Sequence, residues 1–300
     1  MSVVQPISAW LVRHPQNAIL GLVATYILFL PLAGIFSGAV MVLLVLHHGE
    51  RRALTQALLA AAVLALMALL SGGSAPQMAL AVLMTWMPAF VLAALLGNWR
   101  SLTLALQASV IVALVGLLGF YVVLTDPAVF WSSWLADEAA TLFREMGLHE
   151  QAATLLENRA AIAQQMTVLF VFTIWSLYVF GLLLGYALYQ ASLGEKAVFG
   201  RFCDLNFGRV LALIVAVASV AAVISGAIWL RNFAFLVFVI FWIQGLAILH
   251  WLHAERQFPA ILLVIAYALI PLLSALPVIS FAVVGYTDAW FGYRTRNTGR

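Results

Sequence analysis

Two pairs of histidines are the residues of this chain whose type and spacing could hold a metal ion or haem. His250 and His253 stand three positions apart, and His47 and His48 are neighbours just before Glu50. Histidines at i and i+3 share one helix face, where they can chelate a metal or ligate haem. Both pairs lie at predicted helix ends, where amphipathic side chains also collect for other reasons, and no HExxH motif is present. We therefore expect no cofactor and no metal, and keep haem or metal binding as the weaker alternative.

A second candidate is an uncharged polar side chain inside an aromatic stretch. Gln244 stands beside Gly245 and directly follows Phe241, Trp242 and Ile243. A lone glutamine in an apolar helix usually forms an interhelical hydrogen bond, but these aromatic rings could also line an apolar pocket. We predict Gln244, Trp242 and Phe241 as candidate substrate-binding residues, with lipid-facing aromatic side chains as the alternative interpretation.

Motifs for catalysis, for disulfides and for nucleic-acid binding are missing from the sequence. It has no GxSxG motif, no phosphate-binding loop and no carboxylate pair. The lone Cys203 excludes an intrachain disulfide and a CxxC pair. The net charge of +3 comes from scattered basic residues that include a single lysine, Lys196, which is unlike a nucleic-acid footprint. We expect the protein not to be an enzyme and to have no nucleic-acid partner.

The elements that must position these side chains are apolar helices. The chain is 65% hydrophobic and 8% charged, whereas about 25% charge is usual for a soluble domain. Apolar runs of about 20 residues suffice to cross a bilayer as helices. We predict an all-α, polytopic transmembrane helix bundle of about eight spans that forms a single integral membrane domain over residues 1–300. The apolar segments are 18–46, 54–71, 77–97, 101–124, 166–190, 209–229, 232–252 and 258–284.

The first and last apolar segments are longer than one span needs. Segment 18–46 contains Pro31, and segment 258–284 contains Pro271 and Pro277. Because proline removes an intrahelical hydrogen bond and clashes with the preceding turn, we expect each segment to be broken, kinked or folded into a hairpin. The number of spans is then eight to ten.

Basic residues occur in alternate connections, which predicts the orientation. Positively charged loops stay in the cytoplasm, so we expect a multi-pass protein of a bacterial-type inner membrane with the lipid bilayer as its surroundings. The basic residues concerned are Arg51, Arg52, Arg100, Lys196, Arg201, Arg209 and Arg256.

The largest connection is an insert at 126–165 with six acidic and two basic residues, which we place on the periplasmic side. Asp126-Pro127 is a typical helix start, and the apolar residues that follow are spaced as one amphipathic face. Trp131 and Trp134 suit a membrane interface. We predict an amphipathic helical insert on the outer surface, either a lid over a cavity or a packed connector.

Small residues mark predicted helix contacts. Stripes of alanine or glycine let helix backbones approach closely in a membrane, and internal packing is a simpler interpretation than a partner helix. The residues concerned are Ala53, Ala57, Ala61 and Ala65 in one stripe and Gly181 and Gly185 in another.

No Asp, Glu, Lys or Arg lies in the middle of a predicted span. Ion-coupled carriers usually need such a buried charge. The sequence therefore favours a protein that obtains energy from a partner, or one that performs no transport.

The chain ends in a motif of acidic, aromatic and basic residues, which begins at Gly285 and continues as Asp288-Ala289-Trp290-Phe291-Gly292-Tyr293-Arg294. The aromatic and arginine side chains suit the lipid headgroup region, and Asp288 could cap a helix or pair with Arg294. We predict Asp288, Trp290, Phe291 and Arg294 as membrane-anchor or partner-interface residues.

This motif resembles the terminal G-x-x-D-x-W-F-x-[FY]-R signature of the YybS-like family of bacterial membrane proteins. The run Gln244 to Ala247 followed by His250, the broken first segment and the insert before Phe170 are also similar to that family, so the resemblance covers nearly the whole chain. The family has no settled activity, but it is distantly similar to the substrate-binding membrane subunits of energy-coupling-factor transporters. The resemblance implies a transporter-like, small-molecule-binding subunit that relies on a separate ATPase module; a membrane scaffold or assembly factor is the alternative.

Overall fold

The protein is a set of α-helices in a computed structural model that describes residues 4–256, 258–273 and 275–294. Those residues contain no β-strand. Short 3₁₀ turns lie at Leu30–Leu32 and Phe202–Asp204, and a π-helical turn lies at Leu135–Ala139. The helices are α1 (Val4–Arg13), α2 (Pro15–Leu28), α3 (Ala33–His48), α4 (Glu50–Leu70), α5 (Ala75–Trp99), α6 (Leu102–Val123), α7 (Pro127–Trp134), α8 (Ala140–Glu145), α9 (His149–Glu157), α10 (Arg159–Leu193), α11 (Gly208–Ser225), α12 (Ile228–Arg256), α13 (Ala260–Leu273) and α14 (Ala275–Phe291).

Six of these helices, α4, α5, α6, α10, α11 and α12, are long and apolar enough to cross a membrane. Helices α2, α3, α13 and α14 are apolar but shorter. At 14 residues, α2 extends about 21 Å, less than the hydrocarbon core of a bilayer. The predicted all-α class with several potential spans is confirmed.

The first of the two long apolar segments is divided in two. In the first, α2 ends at Leu28, a 3₁₀ turn containing Pro31 follows, and α3 begins at Ala33. The Ser37 hydroxyl donates to the Leu22 carbonyl at 3.1 Å, so α3 folds back along α2 as a hairpin. The break predicted in the second segment falls at residue 274, between Leu273 of α13 and Ala275 of α14, and lies outside the described residues.

The described chain divides into two compact units, and the first comprises Met1–Ser109 and Ile174–Arg201. Two buried indoles of this unit bond to buried serines. The Trp86 indole donates to Ser37 at 2.7 Å, and the Trp175 indole donates to Ser109 at 2.9 Å. Such pairs satisfy groups that would otherwise be costly to bury.

The second unit comprises Val110–Thr173 and Phe202–Arg300 and contains the insert. Asp126 caps α7 by accepting from the Ala128 backbone N–H at 2.9 Å, as the Asp-Pro start predicts. Trp131 packs against Phe120 and Phe170, and its indole donates to the Thr167 hydroxyl at 2.9 Å. The inner side of the insert is therefore fixed to this unit's own helices.

The apolar residues of the insert lie on two sides rather than on one face. Trp131 and Leu135 are buried, whereas Phe130, Trp134 and Leu142 are exposed. Phe130 and Trp134 each stand one position before a buried residue, and successive helical residues project about 100° apart, so the two pairs lie on adjoining sides of the helix. The π-helical turn at Leu135–Ala139 then shifts the repeat before Leu142.

Replacing Trp131 by phenylalanine should lower the free energy of unfolding by about 1–3 kcal/mol, because the ring volume is mostly kept while the buried Thr167 hydroxyl loses its donor. Denaturant titration of the protein in mild detergent would measure this. Trp134→Phe, at an exposed indole, is the matched control and should change the free energy by less than about 0.5 kcal/mol. Equal effects at the two positions would contradict the buried bond.

Candidate functional site

Polar side chains converge at two places, one in each unit. The first is an open pocket of about 800 Å³ at one end of the first unit. Gly49 joins α3 to α4 there with φ of 80°, a conformation that favours glycine. The pocket is lined by Val45, Leu46, His48, Gly49, Glu50, Arg51, Arg52, Ala93, Ala94, Gly97, Asn98, Arg100, Tyr189 and Phe199.

The charge in this pocket is mostly positive. Arg51 and Arg52 lie in the first turn of α4, and Arg100 follows the last turn of α5 with a left-handed φ of 52°. All three side chains are exposed. Among the described residues of the lining, Glu50 alone carries a carboxylate, and it accepts a hydrogen bond from the Asn98 amide at 3.2 Å. The pocket therefore presents guanidinium groups to whatever enters it.

One wall of the pocket is aromatic and held in place by backbone hydrogen bonds. The Phe199 ring stacks on Tyr189 at 5.8 Å between centroids, and the Arg100 guanidinium lies 5.9 Å from the Phe199 centroid. The Phe199 N–H donates to the Tyr186 hydroxyl at 2.6 Å, and its carbonyl accepts from the Leu102 N–H at 2.9 Å. These bonds fix the ring before any ligand arrives.

The second place is a buried polar network in the second unit, centred on Gln244. This side chain is fully buried in α12. Its Oε1 accepts from the Phe207 N–H at 2.8 Å, and its Nε2 donates to Asp288 Oδ2 at 2.9 Å. Both ends of the amide are thus engaged by this chain's own groups.

Asp288 joins that network to the residues that follow α14. Its Oδ1 accepts from the Tyr293 N–H at 3.0 Å, and its Oδ2 accepts from the Arg294 guanidinium at 2.7 Å. Arg294 also donates to the carbonyls of Cys203 at 2.6 Å and Leu205 at 2.7 Å. Asp288 therefore pairs with Arg294 and also holds the turn that follows α14, whereas the sequence left capping and pairing as alternatives. We call Gln244, Asp288, Arg294 and the 203–207 segment the C-terminal clasp.

The other predicted substrate-binding residues pack around this network. Phe241 is fully buried against Phe207 and Tyr286, and the nearly buried Trp242 packs on Phe172. The substrate-binding role of Gln244, Trp242 and Phe241 stays a prediction, and the contacts observed are with protein groups.

The predicted anchor residues differ in exposure. Trp290 is half-buried against Tyr286, while Phe291 is exposed and stacks on Tyr293. Their contact with lipid or a partner stays a prediction. Asp288 and Arg294 turn inward to the clasp.

Of the two predicted small-residue stripes, the glycine stripe lies close to a neighbouring backbone, and the alanine stripe is buried only at its start. A Cβ on Gly181 would lie 2.7 Å from the Gly34 carbonyl, and one on Gly185 would lie 2.6 Å from the Ala39 carbonyl. On α4, Ala53 and Ala57 are buried, but Ala61 and Ala65 are half-buried. The buried line continues through Ala60, Leu64 and Ala68, because a helix advances 3.6 residues per turn and a strict four-residue stripe drifts off the contact face.

The candidate histidines of the haem or metal alternative contact protein groups. His250 hydrogen-bonds the Tyr267 hydroxyl at 2.8 Å, and His253 hydrogen-bonds the Phe258 carbonyl at 2.6 Å. His48 bridges the Val12 carbonyl and Gln56. Within the part of the chain that the structure describes, no three His, Cys, Asp or Glu side chains are grouped to hold a metal ion.

In the sequence, the arginines of the pocket appear only as markers of orientation. Asn98, Tyr189 and Phe199 carry no signal there, because nothing in their spacing indicates that α10 and the segment after it return to the end of α5.

Comparison with known proteins adds no residue to either place, and the YybS-like resemblance stays a prediction. No family model matches the chain, and no curated protein or solved structure shows significant similarity to it.

Proposed function

We propose that this chain is a multi-pass protein of a bacterial-type inner membrane that binds a small molecule as the transporter-like subunit of a system energised by a partner protein. The observation that supports this most is the pocket of the first unit, which is open, pre-shaped by Phe199 and lined from α3, α4, α5 and α10. Concave sites with a few convergent polar groups are the usual form of small-molecule sites.

Dependence on a partner for energy is supported by the placement of charges. Each of the six long apolar helices contains an 18-residue stretch with at most two charged residues, and the buried Asp288 is already paired with Arg294. A carrier that moves ions or protons by itself needs a buried group that can change its charge or partner. An ATPase module is the partner that fits this arrangement.

The scaffold or assembly-factor function is the alternative, and the closely packed glycines give it no separate support. Gly181, Gly185, Gly245 and Gly285 contact helices of this same chain. Their close contacts are therefore used in internal packing and give no separate argument for a partner helix.

Filling the pocket tests the proposal. Ala94 is half-buried in the pocket lining, so Ala94→Trp should occupy it and reduce any co-purifying small molecule by about tenfold or more in native mass spectrometry. Ala79→Trp, on the same helix but exposed and outside the pocket, is the matched control and should retain the molecule.

Two results would contradict the proposal. One is wild-type protein that carries no small molecule in mild detergent and brings no ATPase with it. The other is equal occupancy in Ala94→Trp and Ala79→Trp. Crosslinking in intact membranes to one reproducible non-ATPase partner would favour the scaffold function instead.

A further inference from the structure

The arginines of the first unit's pocket have no counter-charge of their own. Among the described residues, neither Arg51 nor Arg52 forms an ion pair, and the side-chain contact of Arg100 is with the Phe199 ring. Glu50, the one acidic side chain in the lining, is hydrogen-bonded to Asn98. Three guanidinium groups thus face a shared space that contains a single carboxylate.

Two of these arginines stand where positive charge is unfavourable. Arg51 and Arg52 lie in the first turn of α4, where the helix dipole is positive and basic side chains are unfavourable. The N-cap residue of this helix is Gly49, which has no side chain to cap it. Nothing in the packing of α4 requires both positions to be basic, because both side chains are exposed. An anion bound in the pocket would offset this repulsion.

From this we infer that the pocket binds a phosphate-bearing anion, an assignment that rests on the small-molecule site proposed above and names its ligand class. A phosphate group offers oxygens in several directions, so it can accept hydrogen bonds from guanidinium groups on two different helices at once. A carboxylate has two oxygens in one plane and suits a single arginine better.

The rest of the pocket suits an organic group attached to the phosphate. Its volume of about 800 Å³ is much more than a phosphate needs. Val45, Leu46 and Ala93 form an apolar side, and Phe199 and Tyr189 form the aromatic wall. The ligand is either the headgroup of an anionic lipid or a soluble organic phosphate, since the two present the same chemistry to the arginines.

The test uses the full-length protein and two probes. Phosphatidic acid added to detergent-solubilised protein is followed by native mass spectrometry against phosphatidylcholine, and phenyl phosphate binding is followed by isothermal titration calorimetry. The variant Arg52→Gln/Arg100→Gln keeps polar side chains and removes two guanidinium charges. The matched control, Arg144→Gln/Arg209→Gln, removes two exposed arginines outside the pocket.

We expect the pocket variant to bind the preferred probe about tenfold or more weakly, and the control variant to bind it like the wild type. Preference for phosphatidic acid identifies a lipid headgroup, and preference for phenyl phosphate identifies a soluble ligand. Because the substituted side chains are exposed, the elution volume and melting temperature of both variants should match the wild type.

Equal binding by the two double variants, or no binding of either probe to the wild type, would overturn the phosphate assignment. The same experiments distinguish failure of the phosphate assignment from failure of the proposed small-molecule site. If Ala94→Trp displaces an uncharged molecule while neither phosphate probe binds, the small-molecule site stands and the phosphate assignment falls. If the wild type holds nothing and binds neither probe, both fall.

Discussion

Replacing Gly285 by alanine is expected to destabilise the second unit by about 3 kcal/mol. A Cβ at this position would meet the Phe241 carbonyl oxygen and would lie 2.8 Å from the Gly245 nitrogen. Both are backbone atoms of α12, so no side-chain rotation relieves the clash and the two helices must separate. Overpacking of this kind costs about 1–3 kcal/mol and occasionally more, and the backbone contact favours the upper end.

The matched control is an alanine at a helical glycine with free space. Gly116 in α6 has no atom within 4 Å of its would-be Cβ, so Gly116→Ala should stabilise the protein by up to about 1 kcal/mol through helix propensity. Denaturant titration of both variants in the same mild detergent measures the difference in their free energies of unfolding. A Gly285→Ala protein as stable as Gly116→Ala would show that α12 and α14 do not cross in backbone contact.

The helical class of the fold was predictable because it depends on local properties. Runs of about 20 apolar residues specify potential spans whatever their neighbours are, and six such helices are present. The break near Pro31 was predictable for the same reason, since proline acts on its own turn. Helix ends were less certain, as α14 shows by continuing to Phe291 where the apolar run indicated an end at 284.

Only the local part of the C-terminal clasp can be predicted from the sequence. The sequence indicates that Asp288 can pair with Arg294, because they are six positions apart near a helix end. It does not indicate that Gln244 and the backbone at 203–207 complete the network. Charged side chains are seldom buried unless paired, and partners about 40 and 80 residues earlier in the chain leave no periodic signal.

In the first unit, the sequence likewise predicts only part of the pocket. Arg51, Arg52 and Arg100 can be assigned to one membrane side from their spacing. The aromatic wall beside these arginines is placed by a hydrogen bond from the Phe199 N–H to the Tyr186 hydroxyl and by the stacking of Phe199 on Tyr189. Those are tertiary contacts, so sequence composition gives the charges of the site but not its shape.

Breaking the ion pair of the C-terminal clasp should have the other large effect, and the two sides of the pair should differ. Arg294→Met leaves Asp288 without its cation and with 1% of its side chain exposed, whereas Asp288→Asn leaves an arginine that still donates to the Cys203 and Leu205 carbonyls. Removing one partner of a buried pair costs about 3–5 kcal/mol. We expect Arg294→Met near the upper value and Asp288→Asn near or below the lower one, in denaturant titrations in micelles.

The double variant Asp288→Asn/Arg294→Met separates this explanation from a simple loss of packing. With both charges absent, no uncompensated carboxylate remains, so its cost should be smaller than the sum of the single costs by about 1–3 kcal/mol. The Gln244 amide then retains an oxygen acceptor in the substituted asparagine side chain, which keeps the α12 side of the network bonded. Strictly additive single effects would mean that Arg294 acts through its bonds to the Cys203 and Leu205 carbonyls and that its charge contributes nothing.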